Sequence, residues 1–323
     1  MFTALIPVHN RSDLLRRLLD TLDRQTLLFG EVIVIDNLST DGAADLARAH
    51  GCRVIEMGEN AGFARAVNRG WQAAKTDWVA ILNSDVELDP GWLEHLSHAV
   101  GNAACATGMI LDATNRGAID GTYDLVSRAA CAWRAGNGEK ATAGRAPSRI
   151  AIVPGTACIF RREVLEQLGG YDERFGSYLE DVDLGLRCLR LGLAGLYVPE
   201  AVAYHHGSAT LGRWNPQVVR LISRNQLLLI ARHYDWALFR SCFWPILAGQ
   251  LLWGLVAWRH GAARAWFDGK RDALRGFHLE GTPSPPLRRF LLASEREIRR
   301  RARDPYWRWY FRLTNLRLRN AAH

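Results

Sequence analysis

Phe2-Thr3-Ala4-Leu5-Ile6-Pro7-Val8 opens the chain as a nearly unbroken apolar run that stops at His9-Asn10. A run without polar alternation suits a strand covered on both faces rather than one with a wet side. The pattern recurs at Val32-Ile33-Val34-Ile35-Asp36, at Arg53-Val54-Ile55-Glu56 and at Trp78-Val79-Ala80-Ile81-Leu82. Amphipathic segments separate the runs. Ser12 is placed to cap a helix with Leu14, Leu15, Leu18, Leu19 and Leu22 on one face. A turn over 37–42 leads into a short helix over 43–50, and Asn60-Ala61-Gly62 turns into a helix ending near Lys75. Strands alternating with helices in this way predict an α/β fold, its parallel sheet covered on both faces. After Asp85 the alternation loosens. Residues 112–148, rich in Gly, Ala, Asn and Arg, predict surface loops; strands are expected over 150–153 and 157–161, then a helix over 162–168 stopped by Gly169-Gly170. Two more strand-like runs follow at 196–198 and 202–206, and the pattern from 214 onward is helical.

Charge divides the chain in two. Residues 1–210 hold 20 Lys and Arg against 26 Asp and Glu, whereas residues 211–323 hold 21 against 7. A basic region of this kind implies an anionic partner, either nucleic acid or a membrane surface. Seven tryptophans (Trp236, Trp244, Trp253, Trp258, Trp266, Trp307 and Trp309) fall after residue 235, and Trp interleaved with Arg favours a membrane interface. No zinc, RNP or KH signature accompanies them, so no nucleic acid is expected. Residues 241–258 carry no charge, but Pro245, Gly249, Gln250 and Gly254 lower their hydrophobicity. A helix half-sunk in one leaflet fits better than a span; the alternative is a helical hairpin packed on protein. The cysteines (Cys52, Cys105, Cys131, Cys158, Cys188 and Cys242) form no C-x-x-C and read as reduced thiols of a cytosolic protein. Met1-Phe2-Thr3 runs straight into a strand with no signal peptide in view.

Two acidic clusters carry chemistry. Asn83-Ser84-Asp85-Val86-Glu87 ends the fourth apolar run, and Tyr178-Leu179-Glu180-Asp181-Val182-Asp183-Leu184 opens an amphipathic one. Acids at a helix entrance are favoured by its free N–H groups, which is the bland explanation of the second cluster. A further acidic site at a strand's carboxyl end makes a metal-bound diphosphate beside a general base the sharper one.

The chain is identified by resemblance as a member of the family 2 glycosyltransferases with the GT-A fold, similar to their bacterial rhamnosyltransferase-like branch, over about residues 1–235. The resemblance is carried by Ile6-Pro7-Val8-His9-Asn10, by Val34-Ile35-Asp36 with the turn after it, and by Glu59-Asn60-Ala61-Gly62 through Asn68-Arg69-Gly70. It continues in Leu82-Asn83-Ser84-Asp85, Leu168-Gly169-Gly170-Tyr171-Asp172-Glu173, Glu180-Asp181-Val182-Asp183-Leu184 and His205-His206-Gly207-Ser208-Ala209-Thr210. It implies a GT-A catalytic domain over 1–210, with a nucleotide-sugar half to about 110 and an acceptor half beyond, followed by a basic, Trp-rich helical region over 211–323. Pro7, Val8, Asn10 and Asp36 then line the base and ribose, although Asp36 could instead close an Asx-turn with Ser39. Asn60, Gly62 and Asn68 match a third donor-side motif, with Asn60 alternatively a plain N-cap. Asn83 and Ser84 are likewise expected to bind the nucleotide sugar.

Asp85 occupies the metal position of the family's D-x-D motif, whose first Asp is Asn83 here, and is the expected ligand for Mg²⁺ or Mn²⁺. His205, with His206 second, completes that site or forms a hydrogen-bonded rim. Asp181 is the expected general base and Glu180 helps hold the acceptor, while Asp183 caps the helix or pairs with Arg187. One base and direct displacement imply inversion at the anomeric carbon. The expected activity is transfer of a sugar, first L-rhamnose from dTDP-rhamnose, to a lipid-linked or cell-surface glycan on the cytoplasmic face of the plasma membrane. Alternatives are another UDP- or dTDP-sugar such as galactofuranose or glucose, and a non-catalytic sugar-nucleotide-binding subunit.

Overall fold

A computed structural model of the chain describes residues 1–141, 146–207 and 214–315. The motif at 205–210 is therefore described only to Gly207, and the expected boundary at 210 lies outside the described residues. The chain folds as two compact units: a sheet unit, 1–124 with 136–210, and a helical unit, 125–135 with 211–323.

The sheet unit contains, in chain order, β1 (Phe2–Val8), α1 (Ser12–Leu22), β2 (Glu31–Asp36), α2 (Ala43–Ala49), β3 (Arg53–Glu56), α3 (Phe63–Ala73), β4 (Trp78–Leu82), β5 (Val86–Leu88), α4 (Trp92–Ala99), β6 (Cys105–Asp112) and β7 (Ile119–Gly121). The hairpin β8 (Asp124–Val126) and β9 (Ala132–Arg134) intervenes, and most of it belongs to the helical unit. The sheet unit then resumes with β10 (Ser148–Ile150), β11 (Ala157–Arg161), α5 (Arg162–Leu168), α6 (Glu180–Arg190) and β12 (Gly195–His205). Among the described residues, ten strands form one sheet in the order β10-β12-β6-β11-β4-β1-β2-β3, with β5 on β12 and β7 on β6. The neighbours β3, β2, β1 and β4 run parallel, β11 lies antiparallel between β4 and β6, and β12 runs parallel to β6.

The continuous apolar runs feed two cores at once, because successive strand side chains point to opposite faces. Ala4, Ile6 and Val8 join Val34, Ala80 and Leu82 beneath the leucines of α1 and the buried side of α4. Leu5, Ile33, Ile35, Val79 and Ile81 pack on the other face with Val67 and Trp71 of α3 and Leu184 of α6. The sheet is thus mostly parallel and covered on both faces.

Several local expectations change. The N-cap of α1 is Arg11, in left-handed conformation and with no side-chain cap; Ser12 is the first helical residue, and its N–H donates to Asp41 Oδ2 at 2.7 Å. β6 has no counterpart among the expected strands, because Cys105-Ala106-Thr107-Gly108 carries few branched residues, yet it lies well inside the sheet between β12 and β11. Residues 112–148, expected as loops, contain β7, β8 and β9. The strand expected over 150–153 is β10, ending at Ile150, and the two runs at 196–206 are one strand with a bulge between Val198 and Val202.

The helical unit consists of α7 (Pro216–His233), α8 (Trp236–Arg259), α9 (Ala263–Leu274), α10 (Pro285–Arg301) and α11 (Pro305–Asn315) with residues 125–135. Val126 N–H donates to Ser294 Oγ at 2.7 Å, and Arg128 Nε to Glu295 Oε2 at 2.7 Å, which fasten the 125–135 segment to α10. Gln250 Nε2 donates to the Ala129 carbonyl at 2.7 Å and fastens the same segment to α8. The described cysteines form no disulfide, and burial pushes the half-buried Cys52 thiol up to about 11.

Candidate active site

Three loops at the carboxyl ends of β1, β2 and β4 meet the entrances of α3 and α6. Asn10 and Arg11 leave β1 in left-handed conformation, with φ of 60° and 63°. Asn10 N–H donates to Ser39 Oγ at 2.8 Å, and Asn10 Oδ1 accepts from Thr40 N at 2.9 Å, so Asn10 ties the β1 loop to the β2 loop. Asp36 accepts from Ser39 N–H at 3.2 Å, which realises the Asx-turn alternative and leaves its remaining lone pairs for a ligand. Pro7 and Val8 are buried, so only their backbone can line a nucleotide pocket.

Asn37 extends the stitching, donating to the Gly62 carbonyl and accepting from Ala61 N–H, both at 3.1 Å. Gly62, with φ of 81°, is the N-cap of α3; a Cβ there would lie 3.0 Å from the Gly176 carbonyl oxygen, so the close approach of the 176 loop needs a glycine. Asn60 is exposed and is not the N-cap; its Oδ1 accepts from Gly62 N–H at 3.4 Å. Asn68 departs from its expected role. It is buried, donating to the Tyr171 carbonyl and Glu173 Oε1 and accepting from Tyr171 N–H and Trp71 Nε1. With its amide saturated, it braces the segment before the acidic motif rather than meeting a donor.

The strand pairing explains the pair formed by Asp85 and His205. β12 pairs antiparallel with β5, placing His205 opposite Val86 and Tyr204 opposite Glu87. Asp85 Oδ1 lies 3.4 Å from His205 Nε2, and His206 N–H donates to the Asp85 carbonyl at 2.9 Å. The other imidazole nitrogen, Nδ1, lies 2.9 Å from Asp120 Oδ2, brought there by the pairing of β7 with β6. Burial pushes the Asp85 carboxyl up, but the hydrogen bond and charge of His205, with a smaller contribution from His206, outweigh it and hold the carboxyl below its ordinary value. His206 Nε2 turns away to Glu87 Oε1 at 2.8 Å, so of the two histidines only His205 faces Asp85 through its ring. Asp120 carries no sequence signal of its own, because it falls in the aperiodic 112–148 stretch.

Two ligands at ~2.1 Å from one cation lie about 3 Å apart, a separation close to that of Asp85 Oδ1 and His205 Nε2. The carboxylate–histidine contact on the far nitrogen is the arrangement that orients a metal-binding imidazole. No group of three His, Cys, Asp or Glu among the described residues converges on one point. The pair therefore fits a cation whose other positions are filled by ligand oxygens and water.

The second acidic cluster is tied to the first. Gly155 N–H donates to Asp181 Oδ2 at 2.9 Å, and the next residue, Thr156, accepts from Asn83 N–H at 2.9 Å. Asp181 is part-exposed, whereas Glu180 is 6% exposed. Burial, with the nearby Asp181 charge, pushes the Glu180 carboxyl well above the ordinary range, and its Oε2 has no hydrogen-bond partner. The expected acceptor-holding role therefore falls on a side chain that is almost wholly buried. Asp183 is fully buried and pairs with Arg187 Nε at 2.8 Å, as its spacing predicts. Tyr178 and Leu179 enter α6 with φ of 70° and 68°. Burial raises the Tyr178 phenol, with Glu180 and Asp85 adding to the shift, so this ring lies within the field of both acidic sites. Of the described non-glycine residues with positive φ, only Ala130 lies outside these loops; Leu38 is the remaining one inside them. Backbone strain gathered in this way is characteristic of functional loops.

Comparison with known proteins agrees with this architecture. Residues 3–169 match the family described as Glycosyl transferase family 2. An N-acetylglucosaminyl-diphospho-decaprenol L-rhamnosyltransferase of Mycobacterium tuberculosis is 29% identical over 252 residues, covering 69% of this chain and 81% of that protein. A pre-mycofactocin glycosyltransferase of the same organism is 31% identical over 66% of this chain and 44% of its own length. Among solved structures, a mannosyltransferase from Pyrobaculum calidifontis in complex with GDP-Man and Mn2+ superposes with a TM-score of 0.54 at 20% identity, covering 99% of this chain and 87% of that one. GalNAc-T7 with UDP, GalNAc and Mn2+ gives 0.58 at 16% identity, covering 84% and 55%. At such identities these two speak for the GT-A fold alone.

Proposed function

This chain belongs to glycosyl transferase family 2 and is a glycosyltransferase, and we propose that it is an inverting enzyme drawing a sugar, first L-rhamnose, from a dTDP-linked donor. The observation that carries the reading is the Gly155-Thr156 segment, which bonds Asp181 through one residue and the Asn83-Ser84-Asp85 strand end through the next. It holds a part-exposed base beside a candidate cation pair. Asp36, Asn10, Asn60, Gly62 and the backbone of Pro7 and Val8 bind the nucleoside, with Asn83 and Ser84 along the diphosphate. Asp85 and His205 would hold Mg²⁺ or Mn²⁺, which would supply positive charge to the departing diphosphate. Asp181 takes the acceptor hydroxyl's proton as that oxygen bonds to the anomeric carbon. The bond from this carbon to the diphosphate oxygen breaks on the opposite face, which inverts the centre.

The mycobacterial rhamnosyltransferase, named for a diphospho-decaprenol substrate, supports a lipid-linked acceptor, work in polysaccharide assembly and association with a membrane. The basic composition of residues 211–323 supports an anionic membrane surface as partner. The second reading, another UDP- or dTDP-sugar, differs only in the donor.

Calorimetry with nucleoside diphosphates, with and without Mn²⁺, tests the site. Asp85→Ala should remove the Mn²⁺-dependent part of the affinity, and unchanged affinity retires the metal assignment. A thermal-shift series of nucleotide sugars identifies the donor, because a ligand at 100 times its Kd adds roughly 2.7 kcal/mol of stability.

A further inference from the structure

The helical unit presents a helix face that none of its described residues covers. Along α8, Trp236, Phe243, Leu247, Leu251, Leu255 and Trp258 are all exposed, from 39% at Leu247 to 68% at the two tryptophans. Their spacing places them on one stripe of the helix, and at 1.5 Å per residue the stripe runs about 33 Å from one tryptophan to the other. Arg240 lies within it and Arg259 at its end, both exposed. On the neighbouring α9, Arg264, Phe267, Arg271 and Leu274 are exposed in turn at helical spacing.

The rest of α8 is engaged with the unit's own helices. Trp244 Nε1 donates to the Leu313 carbonyl at 2.9 Å and Trp253 Nε1 to Ser223 Oγ at 3.0 Å. Gln250 Oε1 accepts from the buried Lys270 ammonium, whose other partners are the Ser223 carbonyl at 2.7 Å and Gln226 Oε1 at 3.1 Å. α8 is long and apolar enough to cross a membrane, with a mean hydropathy of 1.3 over its best window. A crossing would strip this ammonium and these indole bonds of their partners, at the cost of burying unpaired polar groups in hydrocarbon. Only the exposed stripe is free to meet lipid, and an apolar stripe ended by tryptophans and flanked by arginines has the make-up of a helix lying in the interface plane. Self-association through this face would bring together two regions that each hold 21 basic and 7 acidic residues, so charge favours an anionic occupant over a second copy.

We propose that the exposed α8 face, flanked by arginines of α8 and α9, is the surface on which the enzyme lies on an anionic bilayer, with α8 parallel to the membrane and not through it. The proposal rests on the membrane-surface reading above and adds the face and its orientation.

Full-length protein is sedimented with neutral phosphatidylcholine vesicles and with vesicles that also contain phosphatidylglycerol. Wild type should pellet with the anionic vesicles and remain extractable by carbonate, as an in-plane helix is. Leu251→Glu with Leu255→Glu replaces exposed side chains, so folding is checked by an unchanged Tm, and vesicle affinity should fall about 100-fold or more. Arg240→Gln, Arg259→Gln and Arg264→Gln together should lower it about tenfold or more and flatten its salt dependence. Wild-type sedimentation by the double glutamate variant overturns the assigned face while leaving membrane binding intact. Carbonate-resistant insertion overturns the in-plane orientation. Wild type that pellets with neither vesicle overturns the membrane reading itself, and a concentration-dependent dimer abolished by the glutamates would then assign the stripe to a second copy.

Discussion

At the entrance of α6 in the sheet unit, two carboxyls are buried three residues apart, and only one of them has a cation: Asp183 pairs with Arg187, whereas Glu180 keeps an oxygen without a partner. In the helical unit, the buried Glu295 has both oxygens engaged. Oε2 accepts from Arg128 Nε, and Oε1 accepts from Arg128 N–H at 2.9 Å and from the Tyr310 hydroxyl. Lys270 is likewise surrounded by three oxygen acceptors. Where the three loops of the sheet unit meet, Glu180 keeps an oxygen without a partner and Asp85 shares its carboxylate with His205. Glu295 of the helical unit is instead locked to partners on other elements. The contrast teaches that a buried charge is informative only with its partners: the incompletely matched acids mark chemistry, and the matched ones mark assembly.

The sharpest way to break this comparison is at Asp181 and Asp183, two residues apart. Asp181→Asn keeps the shape of the side chain but cannot take a proton at neutral pH, and kcat should fall ~10²–10⁴-fold with the donor Kd within a few fold. Asp183→Asn should leave kcat near normal and lower thermal stability instead, since it weakens the Arg187 pair. A dead Asp183→Asn beside an active Asp181→Asn would reverse the assignment of chemistry and structure at this helix entrance.

Glu295→Ala asks the opposite question of the helical unit. It leaves Arg128 and the Tyr310 hydroxyl without their shared acceptor, and breaking one side of a buried pair costs about 3–5 kcal/mol. Urea unfolding should show that loss, while nucleoside diphosphate affinity at 25 °C stays unchanged. A loss of nucleotide affinity without a loss of stability would place Glu295 with the reacting acids.

Asp120→Asn sharpens the comparison within the sheet unit. The amide still reaches His205 Nδ1 but no longer fixes the ring with a negative charge. Removal of such an orienting partner typically weakens metal affinity 10–100-fold. Mn²⁺ titration in the presence of nucleoside diphosphate should show that drop with the Tm nearly unchanged. Equal Mn²⁺ affinity would reduce Asp120 to a packing role.

How far each region is legible in the sequence follows from its physics. β1 to β4 can be read because unbroken Val, Ile and Leu runs have one stable solution, a strand between two covered faces. β6 carries Cys, Ala, Thr and Gly where the others carry branched residues, and is a strand because its neighbours β11 and β12 supply ladders on both sides. Asp85, Asp181 and His205 can be named from motif spacing, and Asp183 from its distance to Arg187. Asp120 cannot, since it reaches His205 only through two successive strand pairings across an aperiodic stretch. Asn68 misleads because a motif position says nothing of saturation: beside the bond from Trp71 on its own helix, its other three hydrogen bonds appear only when Tyr171 and Glu173 arrive from elsewhere. The helical character of the tail is evident from composition, but the joining of residues 125–135 to it depends on long-range bonds such as Arg128 to Glu295.

The smallest expected effect tests whether Lys270 belongs with the locked charges. Burial lowers its ammonium to about 7, from an unfolded value near 10.4. Between those values the unfolded chain holds a proton that the native protein has released. The unfolded state then binds more protons, and stability rises with pH by at most about 1.4 kcal/mol per unit for one group. Denaturation midpoints should climb from pH 7 to pH 9 in the wild type, and Lys270→Gln should show a flatter climb, because glutamine has nothing to release. The three oxygens around the ammonium oppose that shift by favouring the charged form. If wild type and Lys270→Gln share one slope, those oxygens have held the proton in place, and Lys270 is then as fully matched as Glu295, so the contrast with the unpartnered Glu180 becomes stronger.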